Sequence, residues 1–258
     1  QVRFFIGDVR DKNRLRKAIT NVTHVIHAAA LKIIPSCEYN VFECIQTNIM
    51  GTENIVEVCA FSDTVKGFLL ISTDKAVLPI NVYGRCKSIA ESIVTTADYN
   101  YGKPSCCFMA VRLGNVISSN GSVIPLFSKL KEKGKSIPVT HPDMTRFFIP
   151  LSRVVEFAWD TLCQGHSDEI WIPKMKAVKI MDLAERFGST HIIGIRPGEK
   201  IHEDLISEYE LPRTEERNDE FIIHSQPVES WILAPVRSCN AERWDLDELI
   251  KVGTNGTY

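Results

Sequence analysis

Short apolar runs alternate with longer segments of helical periodicity through the first half of this 258-residue chain. Strands that are apolar along their whole length need cover on both faces, which a parallel sheet between helices provides. The predicted strands span Val2–Asp8, His24–Ala30, Gly67–Thr73 and Cys106–Val116, and the predicted helices span Asp11–Ile19, Val41–Phe61 and Val82–Asp98. This alternation predicts an α/β fold built on a doubly wound parallel sheet.

The second half of the chain has shorter elements, which indicate a smaller α/β lobe. It opens with a polar, glycine-bearing loop over Ser118–Val123. The predicted helices then span Ile124–Glu132, Leu151–Cys163 and Val178–Phe187, and the predicted strands include Glu169–Pro173 and His191–Lys200. We interpret the acidic stretch Glu208–Glu220 as an exposed loop.

Composition excludes several functional classes. The net charge of −2 gives no field that attracts nucleic acid or an anionic membrane, and no apolar run reaches the ~20 residues that span a bilayer. None of the eight cysteines forms a Cys-x-x-Cys pair, so we expect buried thiols and no zinc site. We therefore expect a cytoplasmic location, no nucleic-acid partner and no membrane contact in this segment.

The segment Ser72–Lys87 places an acid, two amines and a phenol at one junction between strand and helix. Tyr83 and Lys87 are four residues apart and share a helix face, where an ammonium lowers the pKa of a phenol. A phenolate can take a proton from a sugar hydroxyl and so assist hydride transfer to a nicotinamide. Asp74 and Lys75 precede that helix at the sheet edge where ligands bind in such folds. We interpret the four groups as a catalytic cluster.

A second pair with the same spacing, Tyr99 and Lys103, is an internal control. Gly102 and Pro104, on either side of Lys103, end a helix, and no polar strand end precedes the pair, so we interpret it as a surface pair. The spacing alone is therefore weak evidence. For Asp74 and Lys75 a surface ion pair is the alternative interpretation.

Ten motifs occur in a fixed order along the chain: GDVRD, HAAALK, EYN, TNIMGT, STDKAVLPIN, YGRCK, RLGNV, GSVIPLF, MTRFFI and IRPGEKIHE. In this order they resemble the UDP-N-acetylglucosamine 4,6-dehydratases, which are extended short-chain dehydrogenases/reductases of polysaccharide and flagellin-sugar biosynthesis. The resemblance runs from about Phe4 to about His224. The motifs STDKA and MTRF separate this group from ordinary hexose epimerases.

The resemblance implies a reaction in which bound NADP takes hydride from C4 of UDP-N-acetylglucosamine, water is lost across C5 and C6, and hydride returns to C6. It implies that Tyr83 and Lys87 serve the C4 oxidation, with Thr73 near the C4 hydroxyl. Asp74 is implied as the acid at C6 and Lys75 as the base at C5. The resemblance also implies inversion at C5, because the inverting enzymes have a tyrosine at the position of Tyr83.

Binding roles also follow from the resemblance. With Tyr83 and Lys87, the implied cofactor contacts are Asp8, Val9, Ala28, Ala29, Ala30 and Lys32. The implied contacts to the UDP-sugar are Asn115, Ser122, Val123, Arg146, Arg196 and Glu199. The three alanines are equally compatible with a packed strand end, and either arginine could instead be a surface ion-pair partner. We expect NADP, with NAD possible.

Two histidines have plainer interpretations. His27 lies on an apolar strand and is expected to be a core histidine with a satisfied hydrogen bond. His202 and Glu203 are adjacent, but no third ligand lies at metal spacing, so we predict no metal site.

The glycine-rich turn of a dinucleotide-binding fold is missing from this chain. The resemblance implies that two strands and their helices precede Gln1, so we expect a Rossmann-like domain that is incomplete at its N-terminus. Such a chain alone should bind NADP poorly and expose a sheet edge. We expect residues 1–117 and 151–177 to form the NAD(P)-binding domain, and residues 118–150 and 178–258 to form the nucleotide-sugar lobe.

The leading hypothesis is thus a UDP-N-acetylglucosamine 4,6-dehydratase, expected to be a homo-oligomer. A UDP-hexose 4-epimerase is the first alternative, because it also uses Tyr-x-x-x-Lys and a nicotinamide. An inactive fragment or binding remnant is the second, motivated by the missing glycine turn.

Overall fold

The computed structural model describes residues 2–119 and 122–255. Asn120 and Gly121 of the predicted polar loop lie outside the described residues. The described strands are β1 His24–His27, β2 Gly67–Thr73, β3 Cys107–Leu113, β4 Asn115–Val116, β5 Ile137–Val139, β6 Thr145–Ile149, β7 Glu169–Pro173, β8 Lys176–Lys179, β9 Thr190–Ile192, β10 Asp204–Ile206, β11 Thr214–Glu216, β12 Glu220–Ile223 and β13 Val236–Arg237.

The helices connect these strands. The described α-helices are α1 Lys12–Ala18, α2 Ile34–Tyr39, α3 Val41–Ile45, α4 Gly51–Ala60, α5 Val82–Thr95, α6 Ala97–Asn100, α7 Val123–Glu132, α8 Leu151–Gln164, α9 Ile180–Glu185 and α10 Leu246–Asn255. A π-helical turn covers Gln46–Met50, and two 3₁₀ turns cover Asp74–Ala76 and Leu211–Arg213.

The main sheet has the strand order β1-β2-β3-β7-β12-β11. Its first four strands run parallel, and β12 and β11 add to the far side in antiparallel fashion. The helices α5 and α8 both pack against β2 and β3. Because β2 and β3 are almost wholly buried, they show the apolar sequence expected of central parallel strands. The predicted α/β fold is confirmed.

A second, smaller core lies around two minor sheets, β4-β6-β8 and β5-β9. Its members include Phe127 of α7, Ile137 of β5, Phe148 of β6 and Leu183 of α9. The pairing of β7 with β12, and of β12 with β11, places residues 214–223 in the main sheet. The division into a cofactor domain and a sugar lobe stays a prediction.

The predicted strand Val2–Asp8 is wrong for the structure described here, which shows an irregular, exposed segment. The side chains of Phe4 and Ile6 are each 93% exposed. A strand is stabilised by hydrogen bonds to a neighbouring strand, and the described sheet ends at β1 without one beside this segment. The predicted open sheet edge is present, and Ile26 on β1 is 49% exposed.

Several other boundaries differ for local reasons. The predicted helix Val41–Phe61 is split by the π-turn, a feature that often marks functional positions. The predicted strand Cys106–Val116 breaks at Gly114, where a Cβ would lie 2.5 Å from the Cβ of Phe147. The predicted strand over His191–Lys200 is reduced to β9, and the predicted loop over Glu208–Glu220 contains a 3₁₀ turn and β11.

Two features are absent from the described residues. None of their helices is both long and apolar enough to cross a bilayer. They contain no group of three or more histidine, cysteine or acidic side chains arranged to hold a metal ion.

Five of the eight cysteines are buried, as expected of small apolar side chains: Cys37, Cys44, Cys59, Cys86 and Cys106.

A buried arginine joins β3 to the C-terminal part of the chain. Arg112 is only 2% exposed, and its Nη2 donates to Glu91 of α5 and to Glu210, each at 2.8 Å. Its Nη1 donates to the carbonyl of Leu205 in β10 at 2.6 Å. Burial raises the pKa of the Glu210 carboxyl, but the Arg112 guanidinium outweighs burial and lowers it.

We predict that Arg112→Ala lowers the free energy of unfolding by about 3–5 kcal/mol, because it leaves two buried carboxylates without their cation. Chemical denaturation measures the change. The matched control is Arg153→Ala on α8, whose pair with Glu156 is exposed and should contribute less than about 1 kcal/mol. Equal midpoints for the two variants would contradict the prediction.

Candidate active site

The carboxyl end of β2 leads directly into a tight turn that carries three of the predicted residues. Thr73 ends the strand, and Asp74 and Lys75 form the 3₁₀ turn that follows. The Thr73 hydroxyl donates to Asp74 Oδ1 at 3.0 Å, and Lys75 Nζ donates to the same oxygen at 2.9 Å. Asp74 is fully buried, and no described group bonds its Oδ2. The alternative of a surface ion pair is therefore wrong.

Tyr83 lies in the first turn of α5 and faces this group. The side chains of Thr73, Lys75 and Asp74 all lie close enough to influence its phenol. Burial raises the pKa of the phenol to about 12, although Lys75 lowers it. The expectation that Lys87 gives this phenol a lowered pKa is therefore wrong in this structure, because burial dominates and the opposing cation is Lys75. The carboxylate, the phenol and the two amines nevertheless lie at the same junction, between β2 and α5.

Lys87 lies one turn further along α5 and is close enough to β1 for its charge to act on His27. Its Nζ donates to the carbonyl of Ile71 at 2.6 Å. Burial lowers the pKa of this ammonium to about 8, although Glu91 raises it. Burial, and then the charge of Lys87, lower the pKa of His27 to about 4. His27 is a buried histidine whose Nε2 lies 3.1 Å from the Thr52 hydroxyl, which confirms its predicted core role.

Two buried charges from the far half of the chain complete the cluster. Glu203 Oε1 lies 3.4 Å from Lys75 Nζ and 3.7 Å from Arg146 Nε. The remaining guanidinium nitrogens of Arg146 donate to the carbonyls of Thr145, Ile201 and Lys200. In this structure Arg146 therefore holds the 200–201 backbone, and its predicted diphosphate contact stays a prediction.

Glu203 was missed as a site residue by sequence reasoning. Glu203 belongs to the motif IRPGEKIHE, but the sequence assigns it no role beyond that of a metal ligand, which the absence of a third ligand at metal spacing argues against. Its neighbour His202 bonds Thr145 across 2.8 Å, as a structural histidine does. A signal was available in the order of the motifs, because a charged residue after the IRPGEK turn belongs to the segment that closes the site.

The loop that carries Glu203 is tied to the catalytic turn by two further bonds. Asn81 caps α5 by accepting from Gly84 N at 2.7 Å, and its Nδ2 donates to the carbonyl of Gly198 at 2.8 Å. Lys200 Nζ donates to the carbonyl of Val77 at 2.7 Å. Gly198 has φ +76°, a conformation that favours glycine. These contacts fix the loop against the start of α5 and against Val77, which follows the 3₁₀ turn.

The predicted cofactor residues follow β1 or precede α1. Ala28 and Ala29 are exposed and Ala30 is partly buried, so the strand end presents backbone with little side chain. Asn48 of the π-turn holds the next residue, accepting from Leu31 N and donating to Leu31 O, each at 2.8 Å. Lys32 is exposed, and Val9 is partly buried.

Asp8 is exposed and is bound by Arg10 through two side-chain contacts, at 3.0 and 2.7 Å. The Arg10 hydrogen bonds lower the pKa of this carboxyl to about 2. An ionised carboxylate in this position is an acceptor for ligand hydroxyl or amino groups.

The predicted substrate residues lie on the smaller core and its loops. Asn115 is in β4, and Ser122 and Val123 begin α7; all three are partly buried. Arg196 is exposed, and its backbone N–H approaches Glu199. Their contacts to a sugar nucleotide, and the cofactor contacts above, stay predictions. The control pair Tyr99 and Lys103 is exposed, as expected.

A parallel sheet with a Tyr-x-x-x-Lys helix at its carboxyl edge defines an enzyme of the short-chain dehydrogenase/reductase class with a Rossmann-type fold. The sequence profile described as "Polysaccharide biosynthesis protein" matches residues 1–225. The chain therefore belongs to this family of polysaccharide biosynthesis proteins.

Individual relatives agree with this assignment. An inverting UDP-N-acetylglucosamine 4,6-dehydratase of Campylobacter jejuni is 46% identical over 210 residues, which cover 80% of this chain and 63% of that protein. A protein of Methanocaldococcus jannaschii, named only as an uncharacterized membrane protein, is 44% identical over 89% of this chain and 73% of its own length. The chain thus spans less than two thirds of the Campylobacter enzyme.

Two further similarities bear on fold and on the rival activity. The X-ray structure of Pen from Bacillus thuringiensis superposes with a TM-score of 0.90 and 34% identity, covering 98% of this chain and 81% of Pen. A UDP-glucose 4-epimerase of Rickettsia bellii is 37% identical over 84% of this chain and 65% of that enzyme.

We predict that Asn81→Asp loosens the segment 194–204 while keeping the cap of α5, because a carboxylate still accepts from Gly84 but cannot donate to Gly198. Loss of one hydrogen bond of about 1 kcal/mol should speed amide exchange there roughly fivefold. Hydrogen exchange with mass spectrometry measures it.

The matched control is Asp11→Asn, which makes the reverse exchange at the cap of α1, where Asp11 accepts from Arg14 N at 2.9 Å. It should leave the exchange of 194–204 unchanged. Unaltered exchange of that segment in Asn81→Asp would show that the Asn81–Gly198 bond does not hold the loop.

Proposed function

We propose that this protein is an NADP-dependent UDP-N-acetylglucosamine 4,6-dehydratase that forms a UDP-4-keto-6-deoxy-N-acetylhexosamine with inversion at C5. The observation that carries the proposal is the contact of a buried carboxylate, Asp74, with an amine, Lys75, beside the phenol of Tyr83. Oxidation alone needs a phenol and an amine, whereas loss of water also needs an acid and a base. The 46% identical Campylobacter dehydratase supports the same substrate.

The residues of the chain supply the proton transfers. Tyr83 acts as a phenolate, which requires prior loss of its own proton to solvent because burial raises the pKa of the phenol to about 12, and it then takes the proton of the C4 hydroxyl as hydride leaves C4. For the elimination, Lys75 takes the C5 proton, and Asp74 gives a proton to the C6 hydroxyl, which leaves as water. A single proton transfer from Lys75 Nζ to Asp74, 2.9 Å apart, converts the ion pair into the neutral amine and acid that these roles need.

The cofactor side fits a dinucleotide. Ala28 and Ala29 leave the end of β1 uncovered by large side chains, and Asn48 fixes the following backbone. Lys87 is buried beside this strand end, and its ammonium has two hydrogens beyond the one given to Ile71. A bound nicotinamide would accept hydride from C4 and return it to C6, and the proton that Tyr83 took from the C4 hydroxyl would then be delivered to C5. NADP in preference to NAD, a cytoplasmic location and a homo-oligomer stay predictions.

The rival activity is 4-epimerisation, which needs no acid–base pair such as Asp74 and Lys75. Incubation of the complete gene product with UDP-N-acetylglucosamine, followed by mass spectrometry, separates the two. The proposal expects a product lighter by one water. A converted product of unchanged mass would instead establish the epimerase.

The second rival is a binding remnant without activity. Calorimetry with NADP, on the 258-residue chain and on a version extended upstream, tests it. Binding and turnover by the extended protein support the enzyme. Binding by both proteins with no turnover of UDP-N-acetylglucosamine would support the remnant.

We predict that Lys75→Ala abolishes water loss while leaving NADP affinity within about twofold, because Lys75 contacts Asp74 and Glu203 and lies away from the cofactor side. Product mass and calorimetry measure the two effects. Turnover at the parental rate would show that Lys75 has no role in the reaction.

We predict that Tyr83→Phe lowers kcat by about 10²–10⁴-fold, because it deletes the proton acceptor for the C4 hydroxyl. Tyr99→Phe is the matched control, since it deletes the same group from the exposed pair with the same spacing. It should retain the parental rate. Similar losses in both variants would show that the Tyr83 hydroxyl has no special role.

A further inference from the structure

Glu203 is a buried carboxylate that the reaction scheme does not use. It is 3% exposed, and its backbone is fixed by Ser238, which receives the Glu203 N–H at its hydroxyl and donates its own N–H to the Glu203 carbonyl. The carboxylate faces Lys75 and Arg146. Its second oxygen, Oε2, is buried, and no described group bonds it.

The contacts of Glu203 are poor for a purely structural ion pair. Its distances to the two cations are 3.4 and 3.7 Å, and Arg146 gives its shorter bonds to carbonyls. The neighbouring Asp204, in contrast, accepts from Arg237 at 2.7 Å. Burying a carboxylate costs free energy that well-formed partners must offset. The placement of Glu203 therefore calls for a role beyond holding the fold.

We propose that Glu203 is a positioning residue that holds the Lys75 ammonium against Asp74 and so governs how readily this amine gives up its proton. The proposal rests on the proposed function, because Lys75 is the base of the dehydration. Asp74 and Glu203 approach Lys75 from different parts of the chain, one from the turn after β2 and the other from the segment before β10. The amine is thus clamped between two carboxylates.

The charges around Lys75 determine whether the pKa of its ammonium is raised or lowered. Burial lowers the pKa of the Lys75 ammonium, but Asp74 and then Glu203 outweigh burial and raise it above its ordinary value, while Arg146 opposes them. Burial raises the pKa of Glu203, and Lys75 lowers it less than burial raises it. Tyr83 and Lys200 are the other titratable groups that face the pair.

Removing the Glu203 charge should therefore make Lys75 a weaker holder of its proton. In Glu203→Gln the amine keeps one carboxylate, so its pKa falls. A fall of one unit would increase the free-amine fraction about tenfold at a pH below the pKa. The alkaline limb of the pH–rate profile, where the Lys75–Asp74 pair loses the proton that the two groups exchange, should therefore move to lower pH by the same amount.

The test measures the amine directly, without relying on turnover. The complete gene product is acetylated with acetic anhydride at neutral to alkaline pH, and labelling of Lys75 is followed by peptide mass spectrometry. The exposed Lys103 is the internal standard for reagent. We expect Glu203→Gln to label Lys75 about tenfold faster than the parent. Glu203→Asp keeps the charge and should label at close to the parental rate.

The matched control is Asp204→Asn, which removes a neighbouring carboxylate that contacts Lys200 and Arg237 in place of Lys75. It should leave labelling of Lys75 unchanged. Thermal unfolding checks that each variant is folded, and Glu203→Ala, which also removes the charge, replaces Glu203→Gln if that variant does not fold. Equal labelling in the parent and in folded Glu203→Gln would overturn the proposal, as would faster labelling in Glu203→Asp equal to that in Glu203→Gln.

A second arm uses the dehydratase assay. A shift of the pH–rate profile in Glu203→Gln supports the proposal, whereas a uniform loss of rate at every pH contradicts it by indicating a structural role. If the parent does not dehydrate UDP-N-acetylglucosamine, the proposed function fails, and the labelling result still decides whether Glu203 governs Lys75.

Discussion

The site depends on a buried cluster of four alternating charges, formed by Asp74, Lys75, Glu203 and Arg146. Their opposite signs cancel, which is the condition under which charged groups can be buried at all. Two members belong to the turn after β2, Arg146 lies on β6 of the minor sheet β4-β6-β8, and Glu203 lies on the segment before β10. Lys75 contacts a carboxylate from each of these two parts of the chain, while the Asn81–Gly198 and Lys200–Val77 bonds hold the loop 198–204 beside the catalytic turn.

The pKa values of the two buried lysines shift in opposite directions, although burial acts to lower both. It lowers the pKa of Lys87 to about 8, because Glu91 offsets only part of the cost. In Lys75 two carboxylates overcome burial and raise the pKa. The residue that resembles the base of the family is therefore the stronger holder of its proton. This makes proton exchange with Asp74 a requirement of the proposed elimination and gives Glu203 its influence.

The sequence predicted what is encoded locally. The apolar runs of β2 and β3, the turn at Asp74 and the start of α5 follow from periodicity and strand-end chemistry. The strand Val2–Asp8 was wrong because strand formation depends on a neighbour that a pattern cannot supply. Glu203 was missed because its partner Lys75 is far away in the sequence. Arg146 suits phosphate by type, yet backbone carbonyls occupy its guanidinium here.

The start of α5 explains how these distant parts keep a common register. Asn81 joins it to Gly198, and Glu38 accepts from Val82 N at 2.6 Å, which joins it to α2. A Cβ at Gly84 would collide with the carbonyl of Lys75, so this glycine lets the helix lie directly on the catalytic turn. Tyr83 therefore lies between Val82 and Gly84, two residues whose backbones are held in place. The start of α5 thus brings the phenol, the amine and the acid close together. The ion cluster then sets the charge that acts on the amine.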